Sequence, residues 1–157
     1  MPNILKILFL CTGNSCRSQM AEGLARHLKG NLITPFSAGI EPKGLDSNAV
    51  EVMKEIGIDI SSQQSKTVEE LGNVKFDYVI TLCDSAQKKC PFFPAKYGII
   101  HRGFDDPIRL ASDETGKQNI LEYYRRVRDE IRMYIQTLPA SLIGQKDNPI
   151  SKSQPSN

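Results

Sequence analysis

This 157-residue chain predicts an α/β fold: a four-stranded parallel sheet flanked by helices on both faces. Three observations point there. Short apolar runs alternate with segments of helical period, the order that builds a parallel sheet. The residues best suited to chemistry, around Cys11, Cys83 and Asp106, each follow an apolar run. In such sheets ligands bind beyond the C-terminal ends of the strands, near the switch in strand order, so these three segments should meet on one rim. Finally, the length suits a single domain with one proper core.

The first strand is the apolar run at residues 4–10, and a helix follows over 19–28, with Gly30 as its stop. A second strand covers 31–37, where Pro35 argues for an edge position. Asp46 or Ser47 then caps a helix that lines up Ala49, Val52, Met53 and Ile56 and stops at Gly57. Thr67 and Glu70 read as a capping box opening a short helix. The third strand, 76–82, runs straight into Cys83, and the fourth is 97–101. The last helix, 118–138, repeats Ile120, Tyr124, Val127, Ile131, Tyr134 or Ile135, and Leu138 on one face. Arg125, Arg126, Arg128, Asp129 and Arg132 are expected on its solvated faces. From residue 139 onward Ser, Gln, Asn, Pro and Lys dominate, which divides the chain into a domain at 1–138 and a flexible tail at 139–157.

Hydrophobic residues make up 39% and charged residues 24%, the balance of an ordinary globular chain. A net charge of +2 gives no case for nucleic-acid or membrane-surface partners. The sequence has no apolar run of the ~18 residues that a membrane helix requires. Its start has no signal-peptide pattern, so a cytoplasmic protein is expected, and a monomer. Four cysteines, Cys11, Cys16, Cys83 and Cys90, then favour thiol chemistry over structural disulfides. The two histidines lie away from them, and no metal site is expected.

The most specific stretch is Cys11-Thr-Gly-Asn-Ser-Cys16-Arg17-Ser18, on a tight turn from strand to helix. Backbone N–H groups at a helix start lack intrahelical partners and carry partial positive charge. Wrapped into a loop, Thr12, Gly13, Asn14, Ser15, Cys16, Arg17 and Ser18 make a nest for a tetrahedral oxyanion. Arg17 adds a bidentate fork. The same field stabilises a thiolate at Cys11, which makes its sulfur the nucleophile. The bland alternative, a small buried cysteine at a strand end, does not explain the Gly, Asn and Ser residues around it.

An acid is needed to protonate an oxygen leaving group. Asp106, beside Pro107 in the loop after the fourth strand, is the candidate; an ordinary Asp-Pro surface turn is the alternative. The segment from Cys83 to Cys90 carries two more thiols than a plain phosphatase needs. On a helix their Cα atoms would be roughly 10.5 Å apart, whereas a disulfide needs about 7 Å or less. They are separate thiols, or they pair after the segment rearranges. The second case predicts that oxidation reorganises residues 83–97, where Pro91 and Pro94 disfavour a stable helix.

Together these residues resemble the thioredoxin-coupled arsenate reductases, a branch of the low-molecular-weight protein tyrosine phosphatase superfamily. The likeness runs over residues 4–138. It rests on the stretch from Cys11 to Gly23, Ser37-Ala-Gly39, Thr81-Leu-Cys83, Cys90-Pro91 and Gly103-Phe-Asp-Asp-Pro107. It implies that Cys11 attacks arsenate held by the loop and Arg17, with phosphate as an analogue, and that Asp106 protonates the departing hydroxyl. It further implies that Cys83 attacks Cys11 to form a Cys11–Cys83 disulfide, and Cys90 then forms a Cys83–Cys90 disulfide that external thioredoxin reduces. Cys16 takes no redox step, and no cofactor is bound.

Some members of this family bind potassium through residues matching Asn14, Glu22, Ser37 and an aspartate. Lys66 stands at the aspartate's place, so no potassium requirement is expected. A tyrosine phosphatase and a non-catalytic oxyanion sensor are the rival readings. Ile108 after Pro107, and the absence of an aromatic residue in 40–43, weigh against a phosphotyrosine pocket. A sensor needs neither Asp106 nor three thiols.

Overall fold

Strand β1, Leu5–Cys11, buries side chains on both faces of the sheet. Ile7, Phe9 and Cys11 join the larger core, and Leu8 and Leu10 the smaller one opposite. That period of two within a nearly continuous apolar run marks a central strand of a parallel sheet. The computed structural model describes residues 4–83 and 93–143. After β1 come α1 (Arg17–Lys29), β2 (Ile33–Gly39), α2 (Ser47–Glu55), a 3-10 turn (Glu69–Leu71), β3 (Tyr78–Thr81) and β4 (Gly98–His101). Three further helices follow: α3 (Pro107–Leu110), α4 (Lys117–Gln136) and α5 (Ala140–Ile143).

The sheet is four-stranded and parallel, in the order β2-β1-β3-β4. β2 is an edge strand, as Pro35 predicted, and Pro35 pairs opposite Ile7. The chain steps from β1 to one side and then to the other, so the switch in strand order lies at the end of β1. Cys11 ends that strand.

Both faces are covered, but unequally. Met20, Leu24, Val52, Met53, Tyr124 and Ile131, from α1, α2 and α4, all pack into the larger core on one face. Among the described residues the other face is covered by the 3-10 turn region and by Phe93 and Ala95, around Phe36, Phe76 and Val79. Both faces of the sheet are thus covered, the second by the 3-10 helix and its flanking residues among those described. Edge-to-face contacts of Phe76 with Phe36 and Phe93 close this smaller core.

Local chemistry explains the element ends. The Asp46 carboxylate accepts from Asn48 N at 3.3 Å and caps α2, a contact worth about 1 kcal/mol. Beyond α2, Gly57 takes φ +83°, a conformation cheap only for glycine. The predicted capping box is present in both directions: Thr67 N donates to Glu70 at 3.1 Å and Glu70 N to Thr67 Oγ1 at 3.3 Å. It starts only one 3-10 turn, because Gly72 leaves helical geometry at φ +77°.

Three expectations need correction. Arg128 is buried, not on a solvated face, and donates from Nη1 to Val52 O and to Glu55, each at 2.9 Å. Position 128 is four residues after Tyr124 and three before Ile131, so it lies on the buried stripe, and its long side chain reaches out to a carboxylate. The Glu55 carboxyl is held below its usual range, chiefly by Arg125, with Arg128 adding to the effect. Leu121, not Ile120, is the fully buried residue at the start of α4.

The ordered domain also does not stop at residue 138. Helix α5 carries Leu142 into the core, 1% exposed. Its short polar surroundings hid it, since four residues are too few to show a period. Leu142→Ala is expected to cost roughly 2–5 kcal/mol. The check is urea unfolding, where the midpoint should fall with the slope unchanged.

Candidate active site

The loop between β1 and α1 is shaped by Asn14. Its φ of +48° is left-handed, a conformation that Asn tolerates better than most residues. Its side chain is fully engaged. Nδ2 donates to Ser18 Oγ at 2.8 Å, and Oδ1 accepts from Gln19 Nε2 at 3.1 Å and Lys66 N at 2.9 Å. Alternating hands along successive residues turn backbone N–H groups inward. Cys16 stands at the N-cap of α1 with no side-chain cap, which leaves first-turn backbone donors available to an anion.

Ser18 joins this loop to the first thiol, with Oγ 3.0 Å from Cys11 Sγ. Ser18 Oγ already accepts from Asn14, so its own proton is free to point at the sulfur. Cys16 is equally buried. Burial pushes its thiol well above the usual range, and Asp46 and Asp106 add to the effect. Of the two loop cysteines, Cys11 is the one joined to the Ser18 hydroxyl, and Cys16 is held as a neutral thiol.

Arg17 reaches across the rim. Nη1 donates to Phe104 O at 3.0 Å and to Leu82 O at 3.5 Å, and Nη2 lies 3.6 Å from Asp106 Oδ2. The segments after β3 and β4 are therefore both tied to the loop after β1. Asp106 is the N-cap of α3, a helix that the sequence did not reveal, and its Oδ1 accepts from Ile108 N at 3.0 Å. Asp105 points elsewhere, to Arg126 at 3.0 Å. Of the two adjacent carboxylates, Asp106 is the one beside Arg17.

Cys83 is buried, with Sγ 3.8 Å from Thr12 Oγ1. The second thiol thus lies against the residue that follows Cys11. Cys90 and most of the predicted redox-sensitive segment 83–97 fall outside the described residues, which resume at Phe93.

Residues 63–67 brace the loop from beneath. Ser65 Oγ donates to Gly13 O at 3.1 Å, and Gln19 Nε2 to Gln64 O at 3.0 Å. Gly39, the last residue of β2, packs directly against the loop backbone. A Cβ there would stand 2.6 Å from Thr12 O and 2.9 Å from Asn14 N. Both are backbone atoms of the loop and cannot step aside cheaply. Gly39→Ala should weaken phosphate binding at the loop by about fivefold or more, given the 1–3 kcal/mol typical of overpacking. Calorimetric titration with phosphate checks this, beside a thermal melt to separate the effect from global unfolding.

The predicted lysine lies where expected. Lys66 Nζ is 4.0 Å from Glu22 Oε1 and donates to Gln64 O at 2.7 Å. Ser37 Oγ and Arg26 also donate to the Glu22 carboxylate, at 2.5 and 2.6 Å. Burial lowers the Lys66 ammonium from its usual range, against the pull of Glu22. With Asn14 Oδ1 and Glu22 already bonded and a cationic side chain beside them, this donor set does not fit a potassium ion. Among the described residues, no group of three or more His, Cys, Asp or Glu is placed to hold a metal. No described helix is long and apolar enough to cross a membrane.

Comparison with known proteins agrees with this geometry. Residues 6–148 match the family described as low molecular weight phosphotyrosine protein phosphatase. The chain is 51% identical over 127 residues to an arsenate reductase of Bacillus subtilis, covering 80% of this chain and 88% of the relative. Among solved structures it resembles an arsenate reductase in the phosphate binding state, with a TM-score of 0.70 and 30% identity, covering 92% of this chain and all of the other. It also resembles a low molecular weight protein tyrosine phosphatase from T. tengcongensis, with a TM-score of 0.65 and 29% identity, over 87% of this chain and 99% of that one.

Proposed function

Because the chain belongs to the low molecular weight phosphotyrosine protein phosphatase family, and a second thiol lies beside its oxyanion loop, we propose that it reduces arsenate to arsenite through three cysteines and is regenerated by thioredoxin. The placement of Cys83 against Thr12 carries this reading, because hydrolysis alone has no use for a sulfur there. The likeness to the Bacillus subtilis arsenate reductase supports it.

Cys11 thiolate attacks arsenic while the loop amides and Arg17 hold the other oxygens. A hydroxyl leaves as water, with the proton from Asp106. Cys83 sulfur then attacks Cys11 sulfur. The sulfur–arsenic bond breaks, its electron pair stays on arsenic, and arsenite departs as the Cys11–Cys83 disulfide forms. Cys90 attacks Cys83 and releases Cys11. Thioredoxin exchanges with the resulting Cys83–Cys90 bond by ordinary thiolate chemistry. No resident metal or cofactor takes part in any of these steps.

Weak hydrolysis of aryl phosphates follows from the same loop, since arsenate and phosphate share a shape. Ile40 and Ile108, exposed beside Thr12 and Asp106, offer no ring for a phosphotyrosine to stack on.

The test is NADPH oxidation with thioredoxin and thioredoxin reductase. Arsenate should start it, and omitting thioredoxin should stop it. Oxidation at the same rate without arsenate, or none with it, would contradict the proposal.

A further inference from the structure

Three side chains stack where the segment after β4 meets α4. Arg102 Cζ lies 4.4 Å from the centre of the Phe104 ring and 5.5 Å from that of Tyr134. The two rings are 6.1 Å apart and tilted by 59°. A guanidinium is drawn to the negative faces of such rings, and a tilted pair suits their quadrupoles. Arg102 Nη1 also donates to Gly103 O at 2.8 Å, which ties the guanidinium to its own segment.

The backbone of Phe104 serves the site. Its N–H donates to Leu82 O at 3.2 Å, and its carbonyl accepts from Arg17 Nη1 at 3.0 Å. On either side of it, Gly103 has no side chain and Asp105 is exposed, whereas Phe104 is buried. The Phe104 ring is therefore what anchors this carbonyl in the core. Arg17 meets the carbonyl with Nη1 and stands 3.6 Å from Asp106 with Nη2. The plane of its fork depends on where the carbonyl stands.

We propose that Tyr134 and Arg102 are positioning residues for Arg17: gripping the Phe104 ring, they fix the carbonyl that aims the guanidinium at the bound oxyanion. This rests on Arg17 holding the oxyanion, as read above. A planar guanidinium makes two parallel bonds to an oxyanion only when its plane is set, so a tilt weakens one of them. Through Tyr134, a helix with no residue in the anion loop bears on the loop's cation.

The experiment measures the affinity of the full-length chain for inorganic phosphate by phosphorus NMR line broadening. Tyr134→Leu should weaken binding by about fivefold, in the range of aromatic and cation–π contacts. Tyr134→Phe, which keeps the ring, should bind as the parent does. In an Arg17→Lys background, where the fork is gone, Tyr134→Leu should make no further difference, because changes that act through one residue do not add. Arg102→Met, at an exposed position, should weaken binding by a smaller factor, and it serves in the same cycle if Tyr134→Leu fails to fold. Unchanged affinity in the single variant, or the same fold-loss in the Arg17→Lys background, would overturn the proposal. If the parent itself binds no phosphate, it is the oxyanion-loop reading that fails.

Discussion

Cys11→Ser is expected to abolish arsenate reduction, with a loss of at least about a thousandfold, on the scale seen for removal of a nucleophile. The loop and the Ser18 hydroxyl, 3.0 Å from this position, are far too weak to ionise a serine hydroxyl. Chemistry adds a second barrier. An oxygen–arsenic ester has no sulfur for Cys83 to attack, so no disulfide forms and no electron pair is left on arsenic. Aryl phosphate hydrolysis should disappear with it, since both reactions begin at this sulfur. Phosphate binding should survive, because Asn14, Arg17 and the helix start are untouched. Arsenic speciation, an aryl phosphate assay and phosphate titration on one preparation check all three. Appreciable turnover by the variant in either reaction would remove Cys11 as the nucleophile.

Cys83→Ser and Cys90→Ser are expected to separate the two activities. Each should stop multiple-turnover reduction with thioredoxin, while aryl phosphate hydrolysis stays within about twofold of the parent. Hydrolysis needs the loop, Arg17 and Asp106, which are tied together without either thiol: Arg17 reaches Phe104 O and Asp106 directly. Cys83→Ser exchanges sulfur for a smaller oxygen at a buried position, a change small enough to leave the neighbouring loop in place. An equal loss of both activities with the fold intact would argue against a separate redox relay.

The loop and its partners were legible because their signals are local. A cysteine, an arginine and small polar residues between an apolar run and a helix period can only be a strand-to-helix turn, and the rule for parallel sheets sends the residues after β3 and β4 to the same rim. What stayed hidden depends on contacts across long sequence separations. Gly39 matters because β2 ends against the backbone of Thr12 and Asn14. Gln64 to Thr67 brace the loop from about fifty residues away, a link that no periodicity expresses. Arg128 read as solvated because charge was given more weight than its place on the buried stripe. The contact between Thr81 and His101 appears only once register sets the two strands side by side. The short helix α3 could have been read from Asp106-Pro107, an N-cap followed by proline at the first helical position.

The most direct test of the relay needs no thioredoxin. The fully reduced chain is mixed with excess arsenate and no external thiol, arsenite is counted, and the disulfides are mapped by mass spectrometry. The relay predicts one arsenite per chain, a Cys83–Cys90 bond, and Cys11 back as a free thiol. Absence of arsenite, or arsenite released with Cys83 and Cys90 both still reduced, would contradict it.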